Sequence, residues 1–223
     1  MFIGHWAPAF AAAALSKKSP GLGKLFVAAQ LVDWGFFAFA TVGIEKMRIV
    51  PGITAMNPLD LYHMPYTHSL LGTFVWALVF ALVMLMMRLG TTAALIGAAV
   101  VMSHWFLDLL VHRPDLTLAG GDAKLGMGLW NAPVATIVVE LVLVGVCFWW
   151  YLRRTKGPLV PPLILLGLLL AMQSVNWFGP PVEEASAGYF LMALLAFLIA
   201  TFFAAWVGST RRHKREVGLA VAS

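Results

Sequence analysis

Three ionisable side chains recur at intervals of four in the stretch Val101-Met-Ser-His-Trp-Phe-Leu-Asp-Leu-Leu-Val-His-Arg-Pro-Asp115: His104, Asp108 and His112. On an α-helix this spacing keeps all three on one stripe that drifts about 40° per step. Ionisable groups inside an apolar helix are costly to insert and mark functional sites. His104 and Asp108 are separated by a rise of about 6 Å, which lets two side chains ligate one ion. His112 lies about 12 Å along the axis from His104, so the spacing predicts that it does not share that ion. It is placed instead at the rim, where it can take a second metal or, with Arg113, hold a phosphate or carboxylate. The plainer alternative is that His104 and Asp108 hydrogen-bond to each other or to neighbouring helices. A cluster of three favours a metal over that alternative.

Other segments carry further candidates. In Tyr62-His-Met-Pro-Tyr-Thr-His-Ser-Leu-Leu71, His63 and His68 are five apart, and a continuous helix would splay them by about 140°. Pro65 disfavours helical geometry at the residue before it. The stretch therefore reads as a loop carrying His63, with a helix starting near Thr67 and Thr67 or Ser69 either capping it or steadying a ligand. Asp33 and Glu140 each interrupt an apolar run. A carboxylate at the centre of a membrane span costs about 2.5–3.5 kcal/mol on insertion scales, so each needs a partner. For Asp33 that partner is a metal, a histidine, or Gln30. Either carboxylate can act as a general base. His5, in Gly4-His-Trp-Ala-Pro8, is a weak signal by itself. The Met84-Leu-Met-Met87 run reads as packing, and lone Cys147 allows no disulfide within the chain.

These residues need a membrane to position them. Of the 223 residues, 61% are hydrophobic and only 11% charged, with a mean hydropathy of +0.87, whereas a soluble domain carries about 25% charged residues. Apolar runs at 3–16, 23–44, 66–87, 90–112, 130–152, 159–177 and 186–208 are measured against the roughly 20 residues that span a bilayer; the first is marginal. Backbone in lipid must satisfy its own hydrogen bonds, which makes these runs helices. The expectation is an all-α, polytopic transmembrane helical bundle of six or seven helices. One transmembrane domain covers 1–208, followed by a basic cytoplasmic tail at 209–223. Met1 to Ser16 has no basic region before its apolar run and does not read as a cleaved signal.

Arg211, Arg212, Lys214 and Arg215 place the C-terminus in the cytoplasm by the positive-inside rule. Counting back from there, five of the six histidines fall towards the outer leaflet, the exception being His213. Asp33 falls near mid-membrane and Glu140 one to two turns deep. The net charge of +5 is spread over helix ends, which fits topology and contact with membrane lipids rather than nucleic acid.

With these residues in view, the chain resembles the YdjM-like family of bacterial inner-membrane proteins, described as metal-dependent hydrolases. The resemblance is carried by Gly4-His5, Asp33, His63-x-x-x-Thr67-His68-Ser69-Leu70-Leu71 and Ser103-His104-x-x-x-Asp108, and covers about residues 4–112. There are departures. Where the family often has Pro-Asp-x-Asp, this chain has Leu31-Val-Asp-Trp34, and where it usually has His-Arg-Gly before Thr-His, this chain has His63-Met-Pro-Tyr66. The resemblance implies a metal-dependent hydrolase of the plasma (inner) membrane.

The combined expectation is a divalent metal, zinc by its taste for histidine plus carboxylate, held by His68, His104 and Asp108. His5, Asp33 and His63 stand close by as further ligands or supports. Asp33 or Glu140 is the general base, and His112 with Arg113 holds an anionic group. A lipid or lipid-linked ester or amide is the substrate class that the location implies. Two other readings compete with it. One is an ion- or proton-coupled transporter. The other is a non-catalytic subunit of a larger membrane complex, which long smooth helices such as 186–208 would suit. The partners expected besides membrane lipids and a lipid-like substrate are further copies in a homo-oligomer or the other subunits of such a complex.

Overall fold

A computed structural model describes residues 1–214; of the basic tail, Arg215 and the residues beyond it lie outside the described residues. The long apolar runs are helices, as the backbone demands in lipid. They are α2 (Leu22–Thr41), α3 (Leu70–Met86), α4 (Thr91–Val111), α5 (Pro133–Arg154), α6 (Val160–Phe178) and α7 (Ala187–Thr210). Five of them (α2, α4, α5, α6 and α7) are long and apolar enough to cross a membrane, the pattern of a multi-pass membrane protein. Exposed Leu78, Leu82, Val142, Leu163, Leu195 and Phe202 give the bundle an apolar outer surface.

Local chemistry sets the helix ends. Pro65 and the extended backbone at Ser69 hold off α3 until Leu70, and the Ser69 hydroxyl accepts the Gly72 N–H at 2.9 Å, the usual work of an N-cap. Ser186 caps α7 in the same way, accepting the Tyr189 N–H at 3.3 Å. Proline stands in the first turn of both α5 and α6, where its missing N–H has no intrahelical partner to lose.

The marginal first run becomes a 3-10 turn (Ile3–Trp6) leading into the nine-residue α1 (Ala7–Leu15). It is too short to span and it does not lie on the interface. Trp6, Ala7, Ala9, Phe10 and Ala14 are at most 1% exposed. Small alanine side chains let this segment sit among α2, α4 and α5. Small residues do the same for α2 and α7: a Cβ on Gly23 would come within 2.6 Å of the Ala205 Cβ, so glycine there permits the close approach favoured between membrane helices.

Two features depart from an all-helical reading. Residues 46–63 form an antiparallel hairpin of β1 (Lys46–Ile49) and β2 (Leu59–His63), with Arg48 opposite Asp60. The expected loop around His63 is thus a strand end. At the opposite end of the bundle, β3 (Thr155–Lys156) pairs with β4 (Arg212–His213). There Arg211 is buried, and its guanidinium donates to Thr155 Oγ1 (2.9 Å) and to the carbonyls of Thr155, Gly157 and Pro158 (2.8–3.1 Å).

Candidate metal centre

The end of the bundle where α3 begins and α4 stops carries the candidate site. Asp108 stands three residues before the end of α4, His104 seven before it, and Asp33 eight before the end of α2. At 1.5 Å per residue the group lies about 5 to 12 Å below that end. His68 reaches it from the extended entry to α3, and His5 from the buried 3-10 turn.

Asp108 is the centre. Its Oδ1 lies 3.0 Å from His5 Nε2 and 3.4 Å from His112 Nε2. Its Oδ2 lies 3.1 Å from His104 Nε2 and 3.6 Å from His68 Nε2. Asp33 Oδ1 adds a second carboxylate, 3.2 Å from His68 Nε2 and 3.6 Å from His104 Nε2. The His5 and His104 rings stack at 3.7 Å with 6° between planes. All four histidines and Asp108 are at most 3% exposed, while the Asp33 side chain is 16% exposed. The Met1 amino group also lies 3.0 Å from Asp108 Oδ1.

The outer nitrogens decide what the inner ones can do. His104 Nδ1 is 2.9 Å from the Ala29 carbonyl, which can only accept, so Nδ1 carries the proton. His112 Nδ1 likewise faces Asp115 Oδ1 at 2.9 Å. His68 Nδ1 is 2.8 Å from Thr67 Oγ1, and that hydroxyl donates its own proton to Glu45 Oε2 at 2.5 Å, so it accepts from His68. In the neutral rings, therefore, His68, His104 and His112 all turn an Nε2 lone pair towards carboxylate oxygens. Lone pairs and anionic oxygens 3.1–3.6 Å apart repel unless a proton or a metal cation lies between them. His5 Nε2, His104 Nε2 and Asp108 Oδ2 are buried without a hydrogen bond, as donors to a cation would be. Two sets, His5–His104–Asp108 and Asp33–His68–His104, bring their donor atoms within 4.8 Å of one another and can hold a metal ion. Anchoring the far nitrogen of a histidine by a carbonyl or carboxylate is the usual support of a metal ligand.

The structure redistributes several residues expected from the sequence. His112 leaves the rim and joins the cluster. The estimate of 12 Å measured the two ends of the motif, but Asp108 stands halfway and both histidines reach it. The helix also stops at His112, whose backbone is extended (ψ 146°), freeing its side chain to turn back. Arg113 parts from it: its guanidinium is hydrogen-bonded to Asp60 and lies 3.7 Å from Asp115. A joint His112–Arg113 anion site is thereby replaced by an ion pair that ties the 113–128 loop to the hairpin. His63 is exposed at the end of β2, and none of the cluster's contacts involves it.

Glu140 is buried, but its Oε1 accepts the N–H groups of Phe2 (2.7 Å) and Gly4 (2.9 Å), and its Oε2 accepts from Gln173 (3.3 Å). It anchors the segment that delivers His5, and those donors displace it from the expected role of general base. Asp33 has two of the three partners that the sequence allowed, Gln30 at Oδ2 (2.8 Å) and histidines at Oδ1. Thr67 steadies His68 while Ser69 caps the helix.

Sequence reasoning missed Glu45, Asp115 and Gln173 as supports. Asp115 had a signal, a carboxylate three residues after a candidate ligand and just past a helix end. Glu45 and Gln173 had none, being linked to the site only through space. Compared with protein-family models, with curated protein sequences and with solved structures, the chain finds no match in any of the three.

Proposed function

We propose that this chain is an integral-membrane, metal-dependent hydrolase acting on a lipid or lipid-linked ester or amide, with zinc as its metal. The single observation that carries the reading is the set of inward-facing Nε2 atoms of His68, His104 and His112 around two carboxylates, each ring held from behind at Nδ1 by a fixed acceptor. The likeness of Thr67-His68-Ser69-Leu70-Leu71 and Ser103-His104-x-x-x-Asp108 to the YdjM-like family agrees with it. The positive-inside count puts the site towards the outer leaflet of the plasma membrane and the C-terminus in the cytoplasm.

A bound divalent ion would lower the pKa of its water and polarise the scissile carbonyl. His104, His68 and His112 present their nitrogens in fixed directions through Ala29, Thr67–Glu45 and Asp115. Asp33 is the most exposed member of the cluster, and its Oδ2, turned from the histidines towards Gln30, is the atom suited to take the proton from the attacking water while Oδ1 faces His68 and His104. Hydrolysis would then return that proton to the leaving alcohol or amine.

Beside the loop that carries His68 runs an open, mostly apolar groove of about 590 Å³, lined among others by Phe39, Tyr66, Leu71, Val75 and Trp76. It suits an acyl chain entering from the lipid. A proton-relay or carrier reading is less well supported. The buried histidines and carboxylates gather at one end, and the buried charge at the other, Arg211, is closed off by neutral acceptors.

The test is hydrolysis of a panel of ester- and amide-bearing lipids by the purified protein in lipid discs, with and without a chelator. The reading predicts an activity abolished by chelation and by Asp108→Ala. Absence of stoichiometric metal from the parent protein would contradict it.

A further inference from the structure

The cluster offers more donors than one ion takes. A zinc-type site takes four ligands, whereas four imidazole Nε2 atoms and the carboxylates of Asp33 and Asp108 converge here. The two sets able to hold an ion both contain His104, and one Nε2 lone pair serves one ion. A single ion at either set would strand the remaining donors.

Asp108 resolves the sharing. Its two oxygens face different pairs of histidines, Oδ1 towards His5 and His112 and Oδ2 towards His104 and His68; Oδ1 also accepts from the Met1 amino group at 3.0 Å, which an ion on that side would displace. Unmade bonds lie on both sides of it: His5 Nε2 on the first, His104 Nε2 and Oδ2 itself on the second. An ion on the second side alone leaves buried His5 Nε2 without a partner, and one on the first side alone leaves His104 Nε2 and Oδ2 so, each at the cost of an unmet buried polar group. Asp33 Oδ1 touches only the second pair, His68 and His104.

We propose that the site holds two divalent cations bridged by the Asp108 carboxylate. One is bound by His5, His112 and Oδ1, and the other by His68, His104, Asp33 and Oδ2. The proposal rests on the metal-site reading above and adds the number of ions and their division among the ligands. Paired ions of this kind act as a clamp on the attacking and leaving oxygens of a displacement. His112, which the 12 Å estimate set apart from the pair His104–Asp108, thereby becomes the ligand that distinguishes the first ion from the second.

The experiment counts ions in the untagged, full-length protein. The apo protein is titrated with zinc against a chromophoric chelator, and bound zinc is measured by elemental analysis after gel filtration. Two zinc ions per chain are expected. One per chain would overturn this proposal and leave the metal-dependent reading standing; none would overturn both. His5→Ala/His112→Ala and His68→Ala/Asp33→Ala are each expected to retain one ion. Retention of two by either double variant, or loss of both by a variant that still elutes as the parent does, would overturn the division. Because variants can misfold, the unaltered protein loaded with manganese supplies an independent reading. A spin-coupled pair signal in electron paramagnetic resonance supports the bridge, and an isolated-ion spectrum at full loading contradicts it.

Discussion

Arg211 and Asp108 are buried charges at opposite ends of one bundle, and their surroundings differ in kind. The guanidinium of Arg211 donates four hydrogen bonds, to the hydroxyl of Thr155 and the carbonyls of Thr155, Gly157 and Pro158. Those partners close the β3–β4 end of the bundle. The carboxylate of Asp108 has four histidine nitrogens around it at 3.0–3.6 Å. At least three of them present lone pairs once their far nitrogens are protonated, and one carboxylate oxygen has no hydrogen bond at all. Burial alone therefore does not distinguish a structural charge from a functional one. The distinguishing property is how the complement is supplied: neutral acceptors close around Arg211, whereas Asp108 has histidine nitrogens and the Met1 amino group about it and keeps one oxygen without a hydrogen bond, an arrangement that could hold a metal ion.

This contrast can be broken by substitution. The largest effect is expected for Asp108→Ala, which removes the group common to all four histidines. Bound metal should fall by at least 100-fold in chelator competition, with Asp108→Asn behaving nearly as badly, because the amide cannot supply an anionic ligand. Next come the supports. Asp115→Asn and Thr67→Val leave every inner ligand in place but loosen the far nitrogens of His112 and His68. Weakening of about 10–100-fold in metal affinity is expected from the usual effect of such partners, and an unchanged affinity would mean that the rings are held by packing alone.

Arg211→Ala should show the opposite pattern. The melting transition falls, in line with loss of about 1–3 kcal/mol where buried acceptors are left unpaired, while metal content stays at the parent value. The smallest effect is expected for His63→Ala. An exposed strand residue contributes within about 0.5 kcal/mol, and metal affinity should not move. A metal defect in His63→Ala would return that residue to the site.

The sequence displays the inner histidines and carboxylates better than what holds them. His104, Asp108 and His112 repeat on a helical period, and Asp33 is conspicuous as a carboxylate within an apolar run; both signals survive without any tertiary information. The helix spacing also misled, because it was read as the distance between the ends of the motif rather than the distance of each end from Asp108. The burial of α1 was not legible, since a nine-residue apolar helix satisfies neither the length of a span nor the pattern of a surface helix. The hairpin at 46–63 was hidden for a similar reason. Its strands have four and five residues, too few for alternation to stand out beside Pro51-Gly52 and Asn57-Pro58. Glu45 reaches Thr67 across 22 residues and Glu140 reaches Gly4 across 136, separations over which only the fold creates a relationship. His5 shows both sides of the matter. Its residue type is visible in Gly4-His5, but its place beside Asp108 depends on Glu140 and Gln173 gripping the backbone around it.

The central claim, that the Asp108 cluster binds a divalent metal through histidine nitrogens, is tested most directly by metal-edge X-ray absorption on the unaltered, purified protein. The account predicts a nitrogen and oxygen shell at about 2.0–2.2 Å with the outer scattering of imidazole rings, and no sulfur shell. A sulfur shell, pointing instead to the methionine run at 84–87 or to Cys147, would contradict it, as would the absence of any stoichiometric metal.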